Sequence, residues 1–241
     1  MSALALIGTD TGVGKTHVCL ALAAGLRRLG HRVWLHKPVA CGGWEGNPWP
    51  DGTAEDARAL GAALSDGQPA ETLCPRQYPA PIAPHLAAAQ VGQRPLIADY
   101  ARDIAAIRAR AQAETVPRPI VLVETAGGLL APIAADRGTN ADLLVATGLP
   151  ALLVTRPFLG TINHTALTAA VARQRGILVL GLVVNWHREE ATDAATAGIV
   201  AELEAASGLR VLAEFRHGLV PEAIAVALAH ALAKRWEFAA D

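Results

Sequence analysis

The chain has 241 residues, 52% of them hydrophobic and 4% aromatic, with a formal net charge of −1. A near-neutral balance excludes the basic surface that nucleic acid and anionic membranes favour, and apolar residues spread along the whole chain exclude intrinsic disorder. The length suits one α/β domain over residues 1–241 with a substantial core.

The run Ala3 to Ile7 reads as a buried strand, too short and without the basic flank of a signal peptide. It is followed by "GTDTGVGKT" (Gly8–Thr16) and then by a helical pattern from Lys15 that ends at Gly30, a C-cap residue. Arg32–His36 reads as a second strand. The stretch Cys41–Thr53, "CGGWEGNPWPDGT", reads as a loop with no regular structure, and Ala54–Leu64 returns to helical spacing. A Pro-rich segment, Cys74–His85, precedes helical Leu86–Gln90 and a longer helix around Tyr100–Glu114. Three further apolar strands follow, Pro119–Glu124, Ala151–Thr155 and Leu178–Asn185, separated by helical segments. A final helix begins with Pro221 at its first position and runs to Trp236.

Continuous apolar runs indicate strands covered on both faces. Alternation with helices predicts a doubly wound, mostly parallel sheet with helices on both sides. The longest late apolar run, Ile177–Val184, is too short to span a bilayer. The three cysteines have neither metal nor disulfide spacing. A cytoplasmic protein is expected.

"GVGKT" lies between a strand and a helix, the context of a phosphate-binding loop. Backbone N–H groups of Gly12, Val13 and Gly14 and the helix N-terminus would hold phosphate oxygens. Lys15 would reach the terminal phosphates and the Thr16 hydroxyl would ligate Mg²⁺. The usual pattern places the first glycine at position 9, where Thr9 stands; Gly8 comes one residue early. The chain contains 18 Arg but only three Lys, at positions 15, 37 and 234. Arg serves wherever a generic cation suffices, so the surviving lysines mark places for a compact charge. Lys37, in "HKPVACGG", ends a strand and projects towards the same crevice as Lys15. A second ammonium there would neutralise charge on a transferring phosphoryl group.

Glu124 ends another strand, where a carboxylate approaches the metal of a bound nucleotide. Asp56 offers a second carboxylate to Mg²⁺, a hard cation that prefers oxygen; it equally suits the dipole of a helix N-terminus. "LGTINHT" opens a helix after the strand Ala151–Thr155. Free N–H groups at Gly160, Thr161, Ile162 and Asn163 make an anion site there, while Thr161 or Asn163 would serve as ordinary caps. The histidines at 17, 31, 85, 187, 217 and 230 show no paired metal spacing.

"GTDTGVGKT", "KPVACG", "EDARAL", "APIAPHLAA", "VETAGGLLAPI", "ADLLVATGLPALLVT", "LGTINHTALT" and "GLVVN" occur in this order. Together, over residues 1 to about 185, they resemble the dethiobiotin synthetase family, whose phosphate loop carries its first glycine in this same early register. The resemblance implies a P-loop NTPase-like fold and synthesis of a cyclic urea. The diamine 7,8-diaminononanoate takes up CO₂ as a carbamate, ATP with Mg²⁺ phosphorylates it, and the second amine closes the ring. By position it further implies that Thr11, Lys15 and Lys37 lie at the reacting groups and that Thr16, Asp56 and Glu124 hold Mg²⁺. His17, Thr125, Ala126 and Gly127 would line the nucleotide site and Asn185 would read adenine. Cys41 would border the carbamate. Gly160–Asn163 would take the substrate carboxylate from the other subunit of a homodimer.

Three departures stand out. Cys41 replaces a common Ser or Thr, and a thiol is a poorer donor. Thr125 replaces a glycine of the family's "VEGAGG", which predicts a turn harder to hold. "AEFRH" (Ala213–His217) stands where relatives often carry "GEIP". A partition-type ATPase switch is the rival from another class. Such a protein needs a lysine where this chain has Asp10, and a basic amphipathic helix for membrane binding, which the C-terminal helix is not. An amidoligase or a small-molecule kinase on the same fold is the other alternative.

Overall fold

The computed structural model describes residues 3–48, 50–64, 67–186, 198–216 and 221–235. In chain order the elements begin with β1 (Ala3–Gly8), α1 (Lys15–Arg28), β2 (Val33–His36), β3 (Ala40–Cys41), β4 (Glu45–Gly46), β5 (Gly52–Thr53) and α2 (Glu55–Gly61). A short 3₁₀ turn, Ala70–Thr72, leads to β6 (Gln77–Tyr78), α3 (Pro84–Gln90), α4 (Ile97–Ala113) and β7 (Ile120–Gly128). The second half comprises α5 (Asn140–Thr147), β8 (Ala151–Thr155), α6 (Thr161–Gln174), β9 (Val179–Asn185), α7 (Ile199–Ser207), β10 (Val211–Phe215) and α8 (Pro221–Arg235).

Six strands form one sheet in the order β10-β9-β8-β1-β7-β2, and every pairing in it is parallel. Side chains alternate across a strand, and β1 shows the consequence. Ala3, Ala5 and Ile7 enter one core with Tyr100 and Ile104 of α4, Leu143 of α5 and Leu203 of α7. Leu4 and Leu6 enter the other with Val18 and Leu22 of α1, Leu60 of α2 and Leu228 of α8. Both faces are covered, as the unbroken apolar runs imply. Among the described residues no helix is long and apolar enough to cross a membrane.

The structure departs from the sequence-based expectations at several places. The Cys41–Thr53 stretch contains a small antiparallel pair, β4 with β5, and Trp44 Nε1 donates to the Asn47 carbonyl at 3.0 Å across its turn. The Pro-rich segment supplies β6, which pairs with β3 and so ties Cys41 opposite Tyr78. Pro84 opens α3, two residues earlier than expected, because its fixed φ suits a first helical position. The strand carrying Glu124 continues to Gly128; Asn140, buried at the start of α5, donates to the carbonyls of Ala126 (2.7 Å) and Gly128 (2.8 Å) and holds that extension. Residues 187–197, 217–220 and 236–241 lie outside the described residues, and with them His187, His217 and Trp236.

Thr125 overturns its expectation. The left-handed turn lies at Gly127, with φ 74°, whereas Thr125 is an ordinary strand residue of β7. Its buried hydroxyl donates to the Leu6 carbonyl at 3.0 Å. A side chain is compatible there because the unusual backbone angle is two residues further on.

Candidate active site

Because all six strands are parallel, their C-terminal ends share one edge, where open α/β sheets bind ligands. Strand order sets the neighbours on it. β7 lies between β1 and β2, so Glu124 is brought between the loop after β1 and Lys37 at the end of β2. The loop passes directly over Gly8. A Cβ on that residue would stand 2.9 Å from the Asp10 carbonyl oxygen, 2.9 Å from Val13 Cγ2 and 3.0 Å from Lys15 Nζ. The early glycine is therefore demanded by a loop that folds back over the strand end. Lys15 Nζ closes this curl by donating to the Asp10 carbonyl at 3.1 Å.

Five of the expected residues converge. Lys37 Nζ donates to Asp56 Oδ2 at 2.5 Å and to Glu124 Oε1 at 2.6 Å. The Thr16 hydroxyl lies 2.7 Å from Glu124 Oε1 and 3.0 Å from Asp56 Oδ1. Lys37 and Glu124 are 2% and 1% exposed and Lys15 is 6% exposed. Asp56 reaches the cluster from the first turn of α2. That turn is anchored by Gln77, whose Oε1 accepts from Ala54 N–H at 2.9 Å and from the Thr53 hydroxyl at 2.8 Å.

Burial disfavours charge on both lysines, with different outcomes. Lys15 is lowered to about 8, first by burial and then by the neighbouring Lys37 ammonium. At Lys37 burial works in the same direction, yet Glu124 and Asp56 outweigh it and hold its pKa above the ordinary lysine value. Burial would raise the Asp56 carboxyl; the adjacent Lys37 charge overrides it and lowers the pKa. Cys41 is pushed up to about 12, chiefly by burial, so it stands beside the cluster as a neutral thiol.

The donor set fits a hard cation. Asp56, Glu124 and Thr16 offer oxygen only, and Glu124 Oε2 is buried with no hydrogen-bond partner among the described residues. Among those residues no three His, Cys, Asp or Glu side chains gather as a metal group. Two carboxylates and a hydroxyl suit Mg²⁺, which keeps waters and phosphate oxygens in its shell, rather than a metal needing a full protein cage.

The other expected residues are distributed along the same edge. Thr11 is exposed, and its N–H donates to Asp10 Oδ1 at 2.7 Å. His17 meets the Phe215 ring edge-on at 5.9 Å, and the buried Asn185 donates from Nδ2 to the Val13 carbonyl at 3.0 Å. Gly160 opens α6 with φ 96° and no side-chain cap. Thr161 does not cap the helix; its hydroxyl lies 2.9 Å from that of Thr155. Thr155 also lies 3.2 Å from Thr165 and 3.2 Å from Thr9. This threonine chain links the phosphate loop to the start of α6. Sequence reasoning missed it, as it missed Gln77 and Asn140, since their partners are up to 146 residues distant. A polar residue in an otherwise apolar strand, Thr155, was the one available signal.

A groove of about 400 Å³ runs between these regions, lined by Thr9 to Thr11, Gly128 to Ala131, and His164, Leu167, Thr168 and Val171 of α6. Leu130 and Leu167 of its lining are exposed, as are Leu159 and Ile162 where α6 begins.

Residues 2–219 match a family described as "AAA domain". An "ATP-dependent dethiobiotin synthetase BioD" from Anaeromyxobacter sp. (strain Fw109-5) is 40% identical over 217 residues, 90% of this chain and 91% of that protein. A protein of the same name from Ralstonia nicotianae is 40% identical over 195 residues, 80% of this chain and 77% of its own length. Among solved structures, the "MinC:MinD cell division protein complex" of Aquifex aeolicus is similar with a TM-score of 0.60 at 14% identity, covering 97% of this chain and 96% of that one. A ParA family ATPase from Chlorobium tepidum gives 0.51 at 12% identity, covering 99% of this chain and 94% of that one. Those two likenesses establish the P-loop NTPase-like fold alone. The identity and coverage shared with the synthetases go further: the chain belongs to the ATP-dependent dethiobiotin synthetase family.

Proposed function

We propose that this protein, working as one domain, converts 7,8-diaminononanoate, CO₂ and ATP to dethiobiotin, ADP and phosphate. The observation that carries the reading is the cluster in which buried Lys37 and Glu124 meet half-buried Asp56 and Thr16 beside Lys15. One amine of the substrate captures CO₂ as a carbamate, whose oxygen attacks the terminal phosphorus of ATP and displaces ADP. The second amine then attacks the carbamoyl carbon, phosphate leaves and the urea ring closes.

Each expected residue has a task. The N–H groups of Gly12, Val13 and Gly14 hold the phosphates, with His17 and Asn185 bordering the nucleotide and Thr125, Ala126 and Gly127 shaping the adjoining wall. Lys15 neutralises charge on the terminal phosphates. Lys37, kept protonated by its two carboxylates, faces the carbamate and stabilises its developing charge. Thr11 and Cys41 border the same region. Thr16, Asp56 and Glu124 hold Mg²⁺, which when bound supplies Lewis-acid neutralisation of the phosphates. At the start of α6 the N–H groups of Gly160, Ile162 and Asn163 receive the substrate carboxylate, beside Thr161, whose own N–H is taken by the Phe158 carbonyl. We further propose that this end serves the partner site in a homodimer, since Leu130, Leu159, Ile162 and Leu167 are exposed around it.

A partition-type switch is disfavoured at Asp10, whose carboxylate accepts from the next backbone N–H where such a switch needs a lysine. The direct test is incubation of the purified chain with the diamine, bicarbonate, MgCl₂ and ATP, followed by mass spectrometry. Dethiobiotin accompanied by diamine-dependent phosphate release is the expected outcome. Phosphate release indifferent to the diamine overturns the assignment.

A further inference from the structure

Arg156 is the first residue beyond β8, at the same edge as the cluster. Its guanidinium carbon stands 4.6 Å over the centre of the Phe158 ring, and that ring meets His164 of α6 at 5.6 Å, edge-on. The Phe158 carbonyl accepts the N–H of Thr161 at 2.9 Å. The guanidinium is thus tied by stacking to the turn that opens α6.

Two side-chain nitrogens of this stack are not matched. Arg156 Nε and His164 Nδ1 are both buried without a hydrogen-bond partner among the described residues. Arg156 forms no ion pair among them either, whereas Arg32, Arg76 and Arg175 each hold a carboxylate. Helix α6 begins without a side-chain cap and with no acid in its first turn. A stacked cation therefore adjoins the positive end of a fourteen-residue helix, with no acid of the described residues paired to it. A buried donor left unmatched is costly, and an arginine fork is matched best by a planar carboxylate.

We propose that Arg156 is a specificity-determining residue whose guanidinium, braced on Phe158, binds the carboxylate of the diamine acid together with the N–H groups that open α6. This rests on the reaction proposed above and deepens it. The helix end by itself takes any anion, and the arginine selects a terminal carboxylate on an aliphatic chain over the same chain esterified. The exposed Leu159 and Ile162 of this turn provide apolar surface for the chain.

The test is calorimetric titration of the full chain, wild type and Arg156→Ala, with 7,8-diaminononanoate and with its methyl ester, beside assays of dethiobiotin formation. For the acid, Arg156→Ala weakens binding roughly tenfold to a hundredfold, as expected for a charge-assisted pair. For the ester the two proteins bind alike. Arg156→Lys, which keeps charge but loses the fork, falls between them. In turnover the loss appears in KM for the diamine, with KM for ATP unchanged. Equal losses for acid and ester mean that Arg156 only braces Phe158, and overturn the proposal. So does an affinity for the acid that Arg156→Ala leaves intact. A wild-type chain that binds the acid in an Arg156-dependent way but makes no dethiobiotin upholds the carboxylate site and overturns the reaction. A chain that makes dethiobiotin with binding indifferent to Arg156 does the reverse.

Discussion

At the Lys37 end of the sheet edge, Lys37 and Glu124 are buried, half-exposed Asp56 reaches them, and the three charges are bonded to one another; at the α6 end, Leu159 is fully exposed and Arg156 has no counter-ion among the described residues. Both regions lie at the C-terminal ends of parallel strands. The first is completed by one chain, because β2, β7 and α2 bring an ammonium and two carboxylates within hydrogen-bond reach. The second presents unmatched donors and apolar surface. A low-dielectric cluster must be closed before substrate arrives, since an unpaired buried charge costs several kcal/mol. A helix end near solvent carries only partial charges and can await its ligand.

The comparison is broken most severely at Lys37. Lys37→Met leaves Glu124 buried without its cation and is expected to lower stability by about 3–5 kcal/mol, measured by urea denaturation, with turnover abolished. Lys37→Arg retains charge but not the compact ammonium. It is expected to lose on the order of 10²–10³ in kcat while ATP binding, followed by calorimetry, is largely kept. Near-normal turnover in that variant removes Lys37 from the chemistry.

Gly8→Ala tests whether the early glycine is a steric demand. A methyl group 2.9 Å from a backbone oxygen forces the loop to shift, with an expected loss of about 1–3 kcal/mol and weaker ATP binding. An unchanged ATP affinity means that the loop does not depend on passing over Gly8.

A smaller effect sharpens how tightly the β2 end is closed. His36 is buried, its Nδ1 is 2.7 Å from the Thr72 carbonyl, and burial holds its pKa below the ordinary 6.5. Well above pH 6.5 it is neutral folded or unfolded and contributes nothing to the pH dependence. As pH falls below that value the unfolded chain binds a proton that the folded chain resists, so stability drops. Chemical denaturation at pH 7.5 and 5.5 is expected to show a smaller drop for His36→Asn, which keeps a donor towards Thr72. Equal drops exclude His36 as a contributor.

The smallest expected change is at the open end. Leu159→Ser should alter the stability of the monomer by no more than about 0.5 kcal/mol while weakening self-association in sedimentation velocity. A large loss of monomer stability shows instead that Leu159 packs within its own chain.

Much of the first region was legible in the sequence because its signals are local. A strand, a glycine-rich loop and "GKT" are contiguous, and the rarity of lysine singled out Lys15 and Lys37. Thr125 was misjudged because a glycine-to-threonine change was charged to the wrong residue of a tight turn; the left-handed angle belongs to Gly127. The hairpin at Glu45–Thr53 was hidden because two-residue strands leave no periodic trace.

By itself the amino-acid sequence determined the parallel α/β class, through apolar runs with β and helical spacing, and the phosphate loop, through residues adjacent in the chain. Tertiary structure alone decided that β7 lies between β1 and β2, and so that Glu124 shares one ammonium with Asp56. It also decided that Thr9, Thr155 and Thr161 form a chain from the loop to α6, and that Arg156 is stacked without a counter-ion among the described residues. The reason is range: spacing records what a residue does within its own element, whereas charge pairing and burial are settled by elements that meet only when the sheet closes.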